Sequence, residues 1–365
     1  MKRRSKQPKS SLATAMQEAG ELENERKRKK SMRSTFQAFL VNQTEEGFTM
    51  GIQRLRLEDL PPGDVLIQVA YAALNYKDAL VCIPKGGVAR TYPLVPGLEL
   101  TGVVVDSSDP RFQPGDRVLA YDFGSTQGVS RHGGYSEYAR VPGDFLFRLP
   151  AGVDCKQALV LSAGVTVAKG LRELEKHDLS PERGPVLVTG ATGGVGSLAV
   201  SLLSRRGYTV AASTGKADVQ DYLRQLGASE ILSREETSAE NTRSLEAERW
   251  AGSIDTVGGA TLAYLMRTTK KGGAIAAIGV SGGAAYHATV YPLILRGIKL
   301  LGVDMPSTSL HMRRDLWEEV VHETTLLSLV HAIVSEVTLE DIPRMTEAML
   351  GARTRGRILI RPSEQ

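Results

Sequence analysis

Cysteine is scarce in this chain, in which Cys82 and Cys155 are the only two among 365 residues. Two cysteines exclude both a disulfide framework and a four-cysteine structural zinc site. No apolar run approaches the roughly 18 residues that a membrane-spanning helix needs. We therefore expect a cytoplasmic protein of a reducing compartment with no membrane partner.

An excess of basic charge is also missing once the chain is divided. Residues 1–34 hold eleven Lys and Arg against four Glu, whereas the remainder holds 34 basic and 37 acidic side chains. A folded part with a small negative net charge does not support a nucleic-acid partner. The polar, basic leader over 1–34 is predicted to be disordered, and we assign it no function.

Glycine is concentrated in one informative place. Val186, Leu187 and Val188 predict a buried strand, glycines crowd the turn after it, and residues 197–205 have the spaced apolar residues of a helix. A second apolar run over 208–212 completes a βαβ unit. The backbone N–H groups and the helix N-terminus of such a unit suit a pyrophosphate. The predicted pyrophosphate contacts are Gly193, Gly194, Val195 and Gly196.

The end of the second strand indicates which dinucleotide fits. An NAD site usually has Asp or Glu there, to accept hydrogen bonds from the ribose 2′-OH. This chain has Thr214, Gly215 and Lys216 instead. A hydroxyl, bare backbone and a cation suit a 2′-phosphate, so we predict NADPH as the cofactor. The alternative is that Lys216 is an ordinary solvated turn residue.

The distribution of patterns predicts an α/β fold with two domains. Short β-type runs broken by Gly and Pro occupy residues 37–148, which is typical of a small, barrel-like antiparallel domain. Strand and helix patterns then alternate as far as about residue 296. Such alternation predicts a doubly wound parallel sheet.

Several further motifs resemble those of one known family. They are Leu74-Asn75-Tyr76-Lys77-Asp78, Pro96-Gly97-Leu98-Glu99, Pro114-Gly115-Asp116-Arg117-Val118, Gly133-Gly134-Tyr135-Ser136-Glu137 and Thr214-Gly215-Lys216. Together with the glycine-rich turn, they resemble the medium-chain dehydrogenase/reductase superfamily over residues 36–361. Within it the chain is most similar to the acryloyl-CoA reductase branch of the zinc-free quinone oxidoreductases.

The resemblance implies a domain arrangement and an oligomeric state. It implies a GroES-like β-barrel catalytic domain, formed by residues 35–155 and 297–365, around a Rossmann NADPH-binding domain over 156–296. Family members are commonly dimers, so a homodimer is expected.

The resemblance also implies that no metal is bound. The positions that match the Cys, His and Cys ligands of the zinc-dependent relatives are Asn75, Leu98 and Ser162, which cannot supply that ligand set. Without zinc to polarise an alkoxide, alcohol oxidation is disfavoured. The chemistry that remains is hydride transfer from NADPH to an activated C=C bond, followed by a proton.

Asn75 and Tyr76 are the candidate catalytic residues, because they match the place of the metal in the zinc enzymes. Hydrogen-bond donors there would stabilise negative charge on a thioester oxygen, and Tyr76 could also donate the proton. The equally weighted alternative is that Tyr76 packs on the nicotinamide and water supplies the proton. Candidate substrate contacts are Arg90 and Tyr92. Further candidate cofactor contacts are Ile278, Gly279 and Arg357.

Three functions are compatible with this reading. NADPH-dependent reduction of acryloyl-CoA to propionyl-CoA leads, because the whole set of motifs points to it. An NADPH:quinone oxidoreductase or broad enone reductase would use the same fold and the same hydride chemistry on a quinone-like substrate. A non-enzymatic, NADPH-sensing or RNA-associated protein is disfavoured, because the folded part is not basic.

Overall fold

The structure is a computed structural model that describes residues 35–121, 126–323 and 330–363. The predicted leader over 1–34 lies outside these residues. None of the helices in the described ranges is both long enough and apolar enough to cross a membrane.

Fifteen strands and ten α-helices make up the described part of the chain. The strands are β1 (Thr35–Thr44), β2 (Gly47–Arg56), β3 (Val65–Leu74), β4 (Glu99–Ser107), β5 (Arg117–Tyr121), β6 (Tyr138–Val141), β7 (Leu146–Arg148), β8 (Val186–Val188), β9 (Val210–Thr214), β10 (Glu230–Ser233), β11 (Trp250–Asp255), β12 (Thr269–Ala277), β13 (Lys299–Gly302), β14 (Val334–Thr338) and β15 (Arg357–Arg361). The helices are α1 (Tyr76–Val81), α2 (Cys155–Lys176), α3 (Gly194–Arg205), α4 (Gln220–Leu226), α5 (Arg234–Ser238), α6 (Gly259–Thr268), α7 (Tyr291–Arg296), α8 (Leu310–His322), α9 (Val330–Ile333) and α10 (Ile342–Leu350).

The strands form two main sheets and a hairpin. A seven-stranded, mainly antiparallel sheet has the order β14-β15-β3-β4-β5-β7, with β6 paired to β3, and β1 with β2 forms the hairpin. The second sheet has six parallel strands in the order β10-β9-β8-β11-β12-β13. Every residue of β8 is buried, as expected for a parallel strand covered by helices on both faces.

Helix α2 joins the two sheets. It begins at Asp154, whose carboxylate accepts a hydrogen bond from the Gln157 N–H at 2.7 Å, while the Gln157 side chain accepts one from the Asp154 N–H at 2.9 Å. Next to it the Thr101 hydroxyl of β4 donates to the Cys155 carbonyl at 3.0 Å. Further along α2, a Cβ at Gly170 would contact Ala276 of the parallel sheet at 3.5 Å. The two sheets therefore share one buried helix.

These observations confirm the predicted α/β fold, with an antiparallel sheet and a doubly wound parallel sheet. The predicted domain limit at residue 296 precedes β13, and β13 pairs with β12 in the parallel sheet. The parallel sheet therefore extends to Gly302. The chain then returns to the first sheet, where β15 lies between β14 and β3.

Candidate functional site

The glycine-rich turn between β8 and α3 presents an open helix N-terminus. Helix α3 has Gly193 at its N-cap position, with no side chain capping it. The first N–H groups of a helix have no partner within the helix. A Cβ at Gly196 would lie 2.3 Å from the Gly190 carbonyl oxygen, so the turn closes this tightly only with glycine there. The four residues predicted to contact the pyrophosphate thus lie together at one helix start.

The end of β11 holds the turn in place. The Thr189 hydroxyl donates to the Asp255 carboxylate and accepts a hydrogen bond from the Thr256 N–H at 3.0 Å. Asp255 also accepts hydrogen bonds from the N–H groups of Val257 and Gly258, both at 3.1 Å. Burial raises the pKa of Asp255 above its ordinary range. The sequence analysis did not single out this pair.

Thr214 and Lys216 lie beside the same turn. The Lys216 ammonium donates to the Thr192 hydroxyl at 3.1 Å, and the hydroxyl oxygens of Thr192 and Thr214 are 3.2 Å apart. Burial, followed by the positive charge of Arg234, lowers the pKa of Lys216. The two cations therefore lie close enough to repel each other.

Arg234 is a candidate residue that the sequence reading missed. It is the first residue of α5, and a Cβ at Gly215 would lie 2.9 Å from its guanidinium carbon. Within the described ranges, neither Lys216 nor Arg234 forms an ion pair with a carboxylate. Two neighbouring cations without a carboxylate suit a phosphate group. The available sequence signal was an arginine directly after the next parallel strand, at the same edge of the sheet.

Ile278 and Gly279 follow β12 at this edge. Their N–H groups donate to the Asp255 carbonyl at 2.8 and 3.2 Å. A Cβ at Gly279 would lie 2.3 Å from the Thr256 carbonyl oxygen. The two residues thus lie beside the carboxyl end of β11, where open parallel sheets bind their ligands.

A buried polar network faces this turn from the other sheet. Its members are Asn75, Asp78, Glu99, Ser162 and Arg357. The Arg357 guanidinium donates to the Asn75 side-chain oxygen at 2.6 Å and to Glu99 at 2.9 Å. The Asn75 amide nitrogen donates to Asp78 at 3.0 Å and to Glu99 at 3.1 Å. The Ser162 hydroxyl also donates to Glu99.

This network has two carboxylates for one guanidinium. Asp78 is fully buried and accepts hydrogen bonds from the N–H groups of Asn75 and Leu98, each at 2.9 Å. Burial raises the pKa of Asp78 to about 7, and the Glu99 carboxylate adds to the rise. The three positions that the resemblance matches to zinc ligands, Asn75, Leu98 and Ser162, all lie at this network, since Leu98 adjoins Glu99 and donates from its N–H to Asp78. In the described ranges, no group of three or more His, Cys, Asp or Glu side chains could hold a metal ion.

The two predicted catalytic residues differ in whether their hydrogen-bonding groups are already used within the protein. Both side-chain N–H groups of Asn75 are used within the network. Tyr76, the first residue of α1, is only partly buried. Its hydroxyl forms no hydrogen bond with any described residue. The Tyr76 hydroxyl is thus available for an external partner, whereas the Asn75 amide is committed.

The predicted substrate contacts lie in the loop between α1 and β4. Arg90 is exposed, and its N–H donates to the Val129 carbonyl at 2.9 Å. Tyr92 is 38% exposed. The loop leads into the Leu98–Glu99 segment of the network, so both residues lie near it along the chain.

Arg357 connects the two halves of the site. Its guanidinium belongs to the network, while its Cδ would lie 2.8 Å from a Cβ at Gly194. Its Nε is buried and has no hydrogen-bond partner in the described part of the chain. The preceding residue, Gly356, donates from its N–H to the Thr192 carbonyl at 2.8 Å. The uncapped helix start, the close glycines and this unpartnered donor all fit a bound dinucleotide.

Comparison with known families gives two matches. Residues 61–151 match the alcohol dehydrogenase GroES-like domain, and residues 194–324 match the zinc-binding dehydrogenase domain. The first match covers most of the antiparallel sheet, and the second begins at the first residue of α3. Asn75, Asp78 and Glu99 fall within the first match and Lys216 and Arg234 within the second, whereas Ser162 and Arg357 lie outside both.

Individual relatives resemble the chain along almost its whole described length. A Bacillus subtilis protein provisionally named quinone oxidoreductase YhfP is 44% identical over 331 residues, which are 90% of this chain and all of that protein. Acrylyl-CoA reductase AcuI of Ruegeria pomeroyi is 43% identical over 89% of this chain and 98% of its own length.

Solved structures agree with these sequence relatives. The yhdH oxidoreductase of Salmonella enterica, crystallised with NADP, has a TM-score of 0.83 and 40% identity over 90% of this chain and 100% of that one. The Bacillus subtilis yhfP structure has NAD bound, the same TM-score of 0.83 and 43% identity over 90% of this chain and 100% of that one. The chain belongs to the medium-chain dehydrogenase/reductase superfamily, in the branch that contains these quinone oxidoreductase-like and acrylyl-CoA reductase proteins.

Proposed function

We propose that this protein uses NADPH to reduce the activated C=C bond of acryloyl-CoA, or of a similar short enoyl-CoA, to give propionyl-CoA. The observation that most favours NADPH as the cofactor is the pair of cations, Lys216 and Arg234, beside the uncapped start of α3. The substrate rests on the 43% identity with an acrylyl-CoA reductase over nearly the whole of that protein. The NADP in the Salmonella enterica relative supports the same cofactor.

In this proposal each part of the edge binds one part of NADPH. Gly194, Val195 and Gly196 present their N–H groups to the pyrophosphate. Gly193, whose own N–H donates to the Gly190 carbonyl at 2.9 Å, lies against the pyrophosphate without a side chain. Thr214, Gly215, Lys216 and Arg234 surround the 2′-phosphate. Ile278 and Gly279 line the nicotinamide pocket, and Arg357 lies beneath the pyrophosphate turn. When bound, NADPH supplies a hydride to the β-carbon of the substrate.

Tyr76 is the residue proposed to meet the substrate. As the C–H bond forms at the β-carbon, the electron pair of the C=C bond moves toward the thioester oxygen, which becomes negatively charged. A hydroxyl donor aimed at that oxygen stabilises the charge, and a proton then adds to the α-carbon. The Tyr76 hydroxyl lies at this place and has no hydrogen-bond partner among the described residues. Asn75 then acts by position, because Arg357 and the two carboxylates fix its amide at the start of α1.

Arg90 and Tyr92 are the proposed contacts for the CoA part of the substrate. Arg90 is exposed and carries the positive charge that a CoA phosphate requires. Tyr92 presents a partly exposed ring two residues further on. Quinones have no phosphate, so these residues are expected to contribute only if the substrate is a CoA thioester.

Reduction of quinones is the alternative function. One observation favours it, namely the 44% identity with a relative named as a quinone oxidoreductase. The same relative has been crystallised with NAD, which also makes NADH the necessary cofactor control.

We further propose that the protein is a homodimer of the cytoplasm. Strand β13 ends the parallel sheet, and β12 is its one partner among the described strands. Before it, Val290, Tyr291, Ile294 and Leu295 are each exposed by half or more. A second copy would cover this apolar surface. Both cysteines are free, which fits a reducing compartment.

The deciding experiment follows NADPH absorbance during incubation with acryloyl-CoA and, separately, with 1,4-benzoquinone. We expect NADPH absorbance to fall rapidly with acryloyl-CoA and to change little with benzoquinone. The reaction of acryloyl-CoA with NADH in place of NADPH should be slow. If benzoquinone were reduced and acryloyl-CoA were not, the alternative function would replace the proposed one.

Tyr76→Phe tests the role of the hydroxyl. We expect kcat with acryloyl-CoA to fall by about 100-fold, as for loss of a general acid, while the Kd of NADPH stays unchanged. An unchanged kcat would leave water as the proton donor and Tyr76 as a packing residue.

A further inference from the structure

Arg355 is a cation near the nucleotide turn that the proposed site does not use. Its guanidinium carbon lies 4.9 Å from the centre of the Tyr222 ring. The Tyr222 hydroxyl donates to the Ser197 hydroxyl at 2.7 Å, and Ser197 directly follows Gly196 in the first turn of α3. The aromatic ring therefore links Arg355 to the helix start that faces the pyrophosphate.

The backbone fixes Arg355 at this position. The next residue, Gly356, is bridged to Gly193 and donates to the Thr192 carbonyl. A Cβ at Gly356 would lie 1.8 Å from the Ile333 carbonyl oxygen, and its φ is +64°. The segment therefore approaches the turn closely only because this residue is glycine.

The charge of Arg355 is uncompensated. Its neighbour Arg353 forms an ion pair with Glu347 at 2.7 Å. Arg355 has no such pair within the described ranges, where its guanidinium contacts the neutral Tyr222 ring. Thr192, whose carbonyl anchors Gly356, also accepts the hydrogen bond of Lys216 through its hydroxyl. Two cations thus flank one residue of an open helix N-terminus, where negative charge is favoured.

We propose that Arg355 binds a phosphate group of the dinucleotide and forms, with Lys216 and Arg234, a cationic rim around its adenosine end. This inference rests on the proposed use of NADPH. The Tyr222 face holds the guanidinium beside the turn and lowers the entropy lost when it pairs with a phosphate. Three cations around one nucleotide end give affinity that the glycine-rich turn alone does not supply.

Arg355→Gln tests this role, with Arg353→Gln as the matched control on the same segment. The Kd values of NADPH, NADH and 2′,5′-ADP are measured by titration calorimetry on the full chain. We expect Arg355→Gln to raise the Kd of NADPH by about tenfold, since the lost contact is charge-assisted but partly exposed. Arg353→Gln is expected to leave it unchanged.

A comparison of NADPH with NADH shows which phosphate Arg355 binds, the 2′-phosphate or the pyrophosphate. A loss confined to NADPH and 2′,5′-ADP assigns Arg355 to the 2′-phosphate, whereas an equal loss with NADH assigns it to the pyrophosphate. Arg355→Lys keeps the charge without the planar stack and is expected to lose less affinity than Arg355→Gln.

Equal Kd values for wild type and Arg355→Gln with every ligand would overturn the inference. The proposed function would still stand in that case if the wild type bound NADPH and Lys216→Glu bound it more weakly. Failure of the wild type to bind NADPH would overturn both.

Discussion

At the nucleotide turn α3 begins without a side-chain cap, and Lys216 and Arg234 lie together with no ion-paired carboxylate in the described part of the chain. In the buried network, Asn75 uses both of its amide N–H groups, on Asp78 and Glu99, and the Arg357 guanidinium donates to Glu99. The first region leaves donors and positive charge unsatisfied, while the second satisfies most of its groups internally, with the Arg357 Nε as an exception. An unsatisfied region is where a ligand gains free energy by binding, and a satisfied one is where the fold gains rigidity.

Arg357→Met is expected to produce the largest effect, because it breaks the satisfied region. The side chain is almost fully buried, and its removal would leave the buried Glu99 carboxylate without its positive partner. Loss of one partner of a buried ion pair costs about 3–5 kcal/mol. We therefore expect the free energy of unfolding, measured in urea, to fall by about that amount.

Arg353→Met is the control for Arg357→Met. It removes the same type of side chain four positions earlier, from a pair with Glu347 in which both partners are largely exposed. An exposed ion pair contributes about 1 kcal/mol or less. Equal losses in the two variants would show that the buried network does not stabilise the fold more than a surface pair.

Lys216→Glu is expected to have the next largest effect, and it acts on the unsatisfied region. A carboxylate would face the 2′-phosphate in place of a cation, and we expect the Kd of NADPH to rise by about 100-fold. The affinity for NADH should change far less. Lys271→Glu makes the same change of charge at the opposite, amino end of β12 and should leave both affinities unchanged. An unchanged NADPH affinity in Lys216→Glu would refute the 2′-phosphate assignment.

The contrast between the two regions also explains what could be predicted from the sequence. The nucleotide turn is built from contiguous residues, so the order strand, glycines and helix was readable, as was the absence of an acidic residue after β9. Arg234 was missed because it joins the turn from the next αβ unit, 18 positions beyond Lys216.

The network was much less predictable, because its members come from four separate elements. Asn75 and Arg357 are 282 positions apart, and nothing in either local pattern indicates that they form a hydrogen bond. The motif identified Asn75 as a functional residue, yet only the structure shows that its amide is committed. Sequence pattern therefore offered Asn75 as a candidate but could not distinguish a donor held for the substrate from one already in use.

The pH dependence of stability offers a further test of the network. Burial and Glu99 raise the pKa of Asp78 to about 7, above its value in the unfolded chain. The folded state then holds a proton that the unfolded state has lost between about pH 4 and pH 7. The contribution of Asp78 to the free energy of unfolding is therefore largest in acid, falls across this interval and stays constant above it.

Asp78→Asn isolates this contribution. The variant will be less stable overall, because its amide nitrogen would face one of the N–H groups that now donate to the Asp78 carboxylate. The readout is accordingly the slope of unfolding free energy against pH, compared with that of the wild type. We expect the wild type to lose stability more steeply between pH 5 and pH 7 than the variant, as expected for a group with a raised pKa. Parallel slopes would mean that Asp78 stays ionised throughout, held by its three hydrogen bonds.

Ala352→Gly is expected to produce the smallest effect and lies between the two regions, on the turn that leads from α10 to Arg355. Ala352 has a φ of +56°, a left-handed conformation that glycine adopts without strain. Relief of that strain is worth about 1–2 kcal/mol, and the greater freedom of glycine in the unfolded chain offsets part of it. We expect a net gain of about 0.5–1 kcal/mol in the free energy of unfolding, with the Kd of NADPH unchanged. A loss of NADPH affinity in this variant would show that the rigidity of this turn, and not only the charge of Arg355, contributes to cofactor binding.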